Sequence, residues 1–354
     1  MVHIIGCGVI GLSTGICLNL AGYDTEIIAK DIPIESGDYK DKSGIATEYA
    51  TASVKPSTIP NKSLRNMLID SVDVFDKLVG ETDMVELVPH FMGGEKFSHP
   101  DYKDILHNYE KFPESDYDFP FNPGQEGAVF DVHYLQMDKY IRYLIGLYEE
   151  TGGLIRKKNI SDIGDIDYDD YLFNCSGYGS RDLFGDTSLK PVRGHLAYIE
   201  TGEQLKSDKY NGAFSYSYTF DNKKVYCYPH RNMIILGKTA IHDSAEWESY
   251  SDYYETDEGE DLPTHIIEKN REIIKNSADI DITNHKIFGT SGYRPYRDKG
   301  IRIEKNGDII HNYGHGGSGV TFSWSSAIRA VNMVCDDELN GKVKDKIEDY
   351  ESFI

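Results

Sequence analysis

A short apolar run that ends in glycines constrains this chain more than any other feature. Val2-His3-Ile4-Ile5 has the length and composition of a buried parallel strand, and it runs directly into Gly6-Cys7-Gly8-Val9-Ile10-Gly11. Beyond the glycines, Leu12, Cys17, Leu18 and Leu20 predict a helix that stops at Gly22, and Thr25 to Ala29 predicts a second strand. A GxGxxG turn inside such a strand–helix–strand unit is the pattern of a dinucleotide cradle. Gly6 permits the tight turn, Gly8 lets the backbone approach a pyrophosphate, and Gly11 lets the helix lie close to the sheet. Val9 and Ile10 open the helix, where unpaired N–H groups favour an anion. An acid that would hold the ribose hydroxyls belongs about 20 residues further on. Asp31 stands there, while Lys30 takes the strand-end position itself.

At 354 residues the chain is long enough for two domains with substantial cores. A hydrophobic content of 39% excludes a disordered chain, and no apolar run reaches membrane-spanning length. Lys plus Arg number 37 against 59 Asp plus Glu. The resulting net charge of −22 disfavours nucleic acid and anionic membrane as partners, while leaving room for a local basic pocket. The five cysteines (Cys7, Cys17, Cys175, Cys227 and Cys335) are scattered and contain no CxxC, which argues against a disulfide framework or zinc ribbon and fits a reducing compartment. Ile4 to Ala21 is apolar enough for a signal peptide but lacks a basic leader, and its regular glycines mark it as structure. The C-terminal residues 350–354 are not a peroxisomal address, so a cytoplasmic location is expected.

Ser63 to Leu78 carries apolar residues at helical spacing (Leu64, Met67, Leu68, Val72, Phe75, Leu78), and the rest of 57–122 shows no strong period. Tyr134 to Tyr148 reads as a helix ended by Gly152-Gly153. Tyr171-Leu172-Phe173-Asn174 reads as a strand running into Cys175-Ser176-Gly177, a small-residue turn of the kind that faces cofactors at the carboxyl end of a doubly wound sheet. Residues 192–290 read as largely β, with a hairpin at Pro229-His230-Arg231-Asn232, and with Tyr216 and Tyr218 in a loop-like stretch. Ile301 to Glu304 meets Asp308 to Ile310 across Lys305-Asn306-Gly307, and the last long helix runs from about Gly319 to Asp336.

Ahead of that helix lies His311-Asn312-Tyr313-Gly314-His315-Gly316-Gly317-Ser318-Gly319-Val320-Thr321, with four glycines within six residues. Such a stretch lets backbone press against a ligand at a helix N-terminus. The spacing of His311 and His315 would pair metal ligands on a helix, but glycines at this density argue against one, so no metal is expected. The stretch resembles the C-terminal signature of the D-amino-acid oxidase and D-aspartate oxidase family. Further resemblances follow in the family's order: residues 47–56 to the segment that wraps the flavin, Phe173-Asn174-Cys175-Ser176-Gly177 to its Asn-Cys-Thr-Gly-like strand end, Val192-Arg193-Gly194-His195 to its Arg-Gly-Gln segment, and Gly292-Tyr293-Arg294-Pro295 to its Gly-hydrophobic-Arg-Pro motif.

The resemblance implies an α/β fold in which a Rossmann-like FAD-binding domain (1–56, 130–190 and 290–354) is joined to a mainly β substrate domain (57–129 and 191–289). It implies non-covalent FAD held by Gly6, Gly8, Val9, Ile10, Gly11, Asp31, Thr47, Thr51, Ala52, Ser53, Lys55, Gly177, Gly316, Gly317, Gly319, Val320 and Thr321. The implied reaction is hydride transfer from the Cα of a D-amino acid to flavin N5, hydrolysis of the imine to a 2-oxo acid and ammonia, and reoxidation by molecular oxygen to hydrogen peroxide. A small amino acid and oxygen would be the partners, and a homo-oligomer is compatible.

Arg294 is the implied carboxylate clamp, since a planar guanidinium fork matches a carboxylate; Arg297, three residues on, is expected to matter much less. Tyr226 aligns with the tyrosine whose hydroxyl shares the carboxylate. Tyr216 and Tyr218 fall where the family carries an active-site lid, and Lys238 and Ser318 complete the substrate-binding set. His230, Arg231 and Lys238 together suggest a basic pocket for a polar or acidic side chain.

Three positions depart from the family pattern. Ser325-Ser326-Ala327 replaces Gly-x-Ala, Lys55 replaces a polar amide of the mammalian enzymes, and Gly237-Lys238 replaces Gly-Gly. The first two bear on flavin tuning and the third on the substrate pocket. A glycine- or sarcosine-oxidase-like enzyme, a flavin dehydrogenase with a non-oxygen acceptor, and a catalytically silent FAD-binding scaffold share the fold; retention of Arg294 and Tyr226 argues against the last.

Overall fold

In the computed structural model, Val2–Ile5 lies inside a six-stranded sheet. The structure describes residues 1–33, 39–57, 64–80, 83–112, 121, 126–168, 170–202, 205–210, 212–242, 252–278, 280–335 and 339–348. They divide into two compact units: Met1–Glu86, His133–Val192 and Arg294–Ile354 form the first, and Leu87–Val132 with Arg193–Tyr293 the second.

The sheet of the first unit has the strand order Arg302–Asn306, Ile309–Tyr313, Leu172–Asn174, Val2–Ile5, Thr25–Ala29, Leu154–Lys157. All neighbours are parallel except the hairpin Arg302–Asn306/Ile309–Tyr313. Val2, Ile4, Ile27, Ile28, Leu172 and Phe173 are fully buried, because a parallel sheet covered on both faces needs continuous apolar strands. The helix Val9–Leu20 packs on Gly319–Val331 and on Met137–Glu150. Its approach requires Gly15, where a Cβ would lie 2.4 Å from the Tyr148 ring. Trp324 ties two of these helices together, its Nε1–H donating to Tyr140 Oη at 2.8 Å.

Several boundaries differ from the sequence reading. Tyr134 and Leu135 end the strand Gly127–Leu135, whose β-branched and aromatic run precedes the helix Met137–Glu150. The hairpin turn is Gly307-Asp308, one residue later than expected, because Asn306 pairs with Ile309 and Gly307 takes the positive φ of 60°. The break expected at residue 57 falls after Glu86. Helix Arg65–Asp76 packs on Gly319–Val331 through a 2.8 Å hydrogen bond between Ser71 Oγ and Ser325 Oγ. The Ser325 departure is thus a helix–helix contact.

The second unit is built on a nine-stranded sheet in the order Glu258–Gly259, Ile287–Arg297, Leu189–Glu200, Met233–Gly237, Lys223–His230, Ser215–Phe220, Val85–Gly94, Gly127–Leu135, His107–Phe112. A helix unforeseen in this region, Thr264–Ala278, covers one face. Its buried Ile266, Ile267, Ile273 and Ile274 join Ala197, Tyr216, Tyr218, Val225, Cys227 and Leu236 in a single core. The 3–4 spacing of those isoleucines was available in the sequence, where the surrounding strands outweighed it. Among the described residues no helix is long and apolar enough to cross a membrane.

Asp186 ties three chain segments of the first unit together. Its carboxylate accepts hydrogen bonds from Arg297 Nε at 2.7 Å, Tyr313 Oη at 2.8 Å, the Ser188 backbone N–H at 3.0 Å and the Ser188 hydroxyl. Burial alone would raise the Asp186 pKa, but these donors outweigh it and hold the carboxyl far below its ordinary range. Arg297 is therefore a structural partner, 12% exposed against 9% for Asp186. Asp186→Asn should lower unfolding free energy at neutral pH by about 3 kcal/mol, the scale for breaking a buried pair, read as a shift in denaturant midpoint. A depressed carboxyl stabilises above its unfolded pKa of 3.8 and loses that effect as pH falls through the lower native value. The gap between variant and wild type should accordingly narrow below about pH 4; an unshifted midpoint at neutral pH would show that the pair supports nothing.

Candidate cofactor and substrate site

The fingerprint turn is closed by contacts that only glycine permits. A Cβ at Gly6 would lie 2.6 Å from the Cys175 carbonyl oxygen, and one at Gly11 would lie 1.9 Å from the Gly6 carbonyl oxygen. Helix Val9–Leu20 begins at Gly8 with no side-chain cap and no acid in its first turn. Thr47 Oγ1 accepts from the Val9 N–H at 3.1 Å, and helix geometry leaves the N–H groups of Ile10 and Gly11 pointing out of the same end. Asp31 is half-buried just beyond the strand Thr25–Ala29.

A second helix N-terminus stands beside the first. Gly319–Val331 also starts without a side-chain cap or an early acid, and a Cβ at Gly319 would be 4.0 Å from Val9 Cγ1. The preceding loop leaves Gly316 and Gly319 half-buried and Gly317 exposed, while His315, Ser318 and Val320 are buried. Gly316 needs its positive φ of 56°. Burial lowers the His315 pKa to about 3, so the imidazole is neutral, and its Nε2 has no hydrogen-bond partner. Asn312 Oδ1 is a second buried polar atom without a partner there.

Residues 47–57 span these two termini. Ala52 and Ser53 are held by Tyr134 and Leu135 through the Leu135 N–H to Ala52 bond of 3.0 Å and the Ser53–Tyr134 bridge, with half-buried Thr51 just ahead. Thr321 Oγ1 donates to Ser53 O at 3.3 Å and Lys55 O at 3.1 Å. Ser318 Oγ accepts from the Ser57 N–H at 2.7 Å and donates to Ser57 O at 2.7 Å. With both roles of its hydroxyl taken and the residue 1% exposed, Ser318 is a backbone clamp; the substrate-binding role expected of it is corrected.

Asn174 organises the turn before Gly177. Its Oδ1 accepts from Ser176 Oγ at 2.7 Å and Ser180 Oγ at 3.2 Å, and its amide lies 3.1 Å from His311 Nδ1. Gly177, at φ 57°, lies 4.0 Å by its ideal Cβ from Pro295. Tyr296 bridges His315. Arg294, half-buried, is thus presented by an extended segment fixed at the next two residues, with Tyr296 on its own side of the strand. Pro295 keeps Arg294 out of helical geometry, as its sequence position suggested.

In the second unit, Tyr226 pairs with Gly237 across the ladder, and a Cβ at Gly237 would lie 2.7 Å from Tyr226 Oη. The glycine is what lets the phenol lie over its neighbour. Tyr226 and Tyr228, with ring centroids 5.2 Å apart, alternate away from Val225 and Cys227, which belong to the helix-covered core. Lys238 sits at φ 103°, a conformation side chains rarely adopt, with Nζ 5.9 Å from the Tyr226 ring centroid.

Two expectations fail in this unit. Tyr216 and Tyr218 are not in a loop. They sit on the strand Ser215–Phe220, opposite Cys227 and Val225, on the core face. Tyr216 Oη donates to Asn270 Oδ1 at 2.8 Å, and Tyr218 packs on Phe121 at 4.4 Å. Tyr218 therefore faces away from Tyr226 and is withdrawn as a substrate-binding residue. The basic cluster also divides: Arg231 is at the exposed hairpin turn, and Lys238 follows Gly237 four ladder steps along, roughly 13 Å at the rise of a strand. The residue that does share the Tyr226 face on the neighbouring strand is Ser217, whose Oγ lies 3.0 Å from His90 Nε2. Strand alternation applied to Ser215–Phe220 would have found it.

Two adjacent helix N-termini without a side-chain cap or an early acid, spanned by residues 47–57 and flanked by the glycines of 6–11 and 314–319, fit an anionic dinucleotide. Comparison with known proteins agrees. A D-amino-acid oxidase from Dictyostelium discoideum is 28% identical, covering 94% of this chain and 90% of that protein. A D-aspartate oxidase from Homo sapiens is 22% identical, covering 95% and 94%. Among solved structures, glycine oxidase from Geobacillus kaustophilus superposes with a TM-score of 0.66 at 16% identity, covering 95% of each chain, a likeness of fold. The profile of the family described as FAD dependent oxidoreductase matches residues 1–333, which carry every element of the cradle, and the chain belongs to that family.

Proposed function

We propose that the protein is a D-amino-acid oxidase, converting a D-amino acid, dioxygen and water to a 2-oxo acid, ammonia and hydrogen peroxide. The observation that carries this reading is the presentation of Arg294 on an extended segment in which Pro295 lies near Gly177 and Tyr296 bridges His315, beside the loop that precedes the second helix N-terminus. Bound FAD supplies the two-electron acceptor. The chain's own contribution is orientation. Arg294 holds the substrate carboxylate in a bidentate fork, so that the Cα–H has one direction to face. Neither histidine of the glycine loop is a strong base: burial lowers the His315 pKa to about 3, and burial with Arg302 nearby lowers the His311 pKa to about 4. The substrate amine enters neutral and its proton goes to solvent. Lys238, held over the Tyr226 ring in a strained conformation, supports a preference for a polar or acidic substrate side chain.

FAD should be non-covalent, since no Cys or His lies in a recognisable attachment motif; acid precipitation should release it into the supernatant, and flavin retained in the pellet would refute this. Arg294→Ala should lower kcat/KM at least roughly a hundredfold with FAD still bound, because a charge-assisted hydrogen bond is worth about 1.5–3 kcal/mol and misplaced Cα–H costs more. Arg294→Lys should recover only part of that loss. Near-wild-type turnover by a flavin-loaded Arg294→Ala enzyme would leave the anchor elsewhere. In a panel of D-alanine, D-phenylalanine, D-aspartate, D-glutamate, glycine and sarcosine, the acidic D-amino acids should lead in kcat/KM, and Lys238→Gly should narrow the lead about tenfold or more. A lead for D-alanine would remove the acidic preference, and a lead for glycine or sarcosine would replace the D-amino-acid reading. Peroxide formed in less than stoichiometric yield would point to a dehydrogenase.

A further inference from the structure

Among the described residues, Lys55 is the one buried lysine or arginine, 8% exposed. Burial is, among the described residues, the sole influence on its ammonium, with no carboxylate beside it and no side-chain hydrogen bond to it. No anion among the described residues lies against this buried cation. Its position is fixed from both sides. The Lys55 N–H donates to Ser53 O at 2.9 Å, and its carbonyl accepts from Thr321 Oγ1 at 3.1 Å. Two residues on, Ser57 is double-bonded to Ser318. Lys55 therefore lies on the segment that runs from Thr47, at the first helix N-terminus, to Ser318, at the second.

An ammonium removed from water without a counter-charge is costly, and a chain retains one where a ligand completes it. Burial pulls the Lys55 pKa down to about 8, so at neutral pH the group still carries its charge. A helix N-terminus contributes about half a unit charge, and lysine a whole one.

We propose that Lys55 is the counter-cation of the bound flavin, stabilising the negative charge the ring acquires on reduction and thereby raising its reduction potential. The balance is simple. The amino acid, its amine neutral, gives up a hydride from Cα and its amine becomes an iminium; the ring gains the two electrons and one proton, and with them one negative charge. The inference rests on FAD occupying the cradle described above.

The test uses the holoenzyme with Lys55→Met and Lys55→Gln. Sulfite, which adds to oxidised flavin and leaves it negatively charged, is the binding probe; dye equilibration gives the two-electron potential. Both variants should bind sulfite at least about tenfold more weakly, with a potential lower by about 30 mV or more, the equivalent of tenfold for a two-electron couple. Lys55→Arg should retain most of both. Unchanged sulfite affinity and potential in a fully flavin-loaded Lys55→Met enzyme would overturn the inference while leaving FAD dependence intact. Absence of flavin from the wild type would instead strike at the cofactor assignment. Should a variant lose FAD, wild-type holoenzyme decides: one lysine ammonium followed by NMR should titrate at higher pH after reduction, and no such signal overturns the proposal.

Discussion

The seating of one helix on one turn governs the first unit. Helix Val9–Leu20 comes so close to the end of Val2–Ile5 that any side chain at Gly11 would overlap the Gly6 carbonyl, at 1.9 Å from its Cβ. That approach is tolerated because Gly11 has no Cβ and because Gly15 makes the same allowance toward Tyr148 on the far side. It aims the helix N-terminus out of the carboxyl edge of the sheet, where Val9 meets Thr47 and adjoins Gly319. The second N-terminus, the 47–57 segment stapled to it, and the Arg294 strand all take their positions from this placement. The concentration of positive potential is built mainly from backbone dipoles, which is how a chain of net charge −22 can present an anion site.

What was legible in the sequence was local. Gly6, Gly8 and Gly11 announce a cradle because each removes a specific steric obstacle within a few residues of chain. The strand ending at Asn174 and the glycines of 314–319 are legible for the same reason. The ligand-facing roles of single side chains were less so. Ser318 sits within the signature stretch, yet its hydroxyl is committed to Ser57, 261 residues away in sequence, a pairing that no periodicity encodes. Arg297 differs from Arg294 by three positions, and only the fold reveals that Asp186 holds it.

The β-rich unit shows a different source of error. Tyr216 and Tyr218 alternate with Ser215, Ser217 and Thr219, a period-2 pattern that marks a half-buried strand. Read as a loop, the two tyrosines looked available; as a strand, they are committed to the helix-covered face by the same alternation that puts Tyr226 on the other. The family correspondence that suggested a lid at these two tyrosines carried no information on which way a strand's side chains point. Elementary strand geometry outranks such a correspondence where the two conflict.

Lys55 and Lys238 illustrate how departures from a family pattern can be weighed physically. Both are lysines where relatives of the resembled family carry an uncharged residue, and each pays an identifiable energetic cost in this chain. Lys55 bears the desolvation of a charge without a partner; Lys238 bears a φ of 103°, which costs of the order of 1–3 kcal/mol for a residue with a side chain. Glycine at 238 or a neutral amide at 55 would remove the respective cost at once. Ser325, by contrast, incurs no such penalty: its hydroxyl is satisfied by Ser71 at 2.8 Å, and its departure is explained by helix packing alone. Lys55 is accordingly the departure for which the described residues supply no internal compensation, and compensation from a bound anion is the account consistent with it.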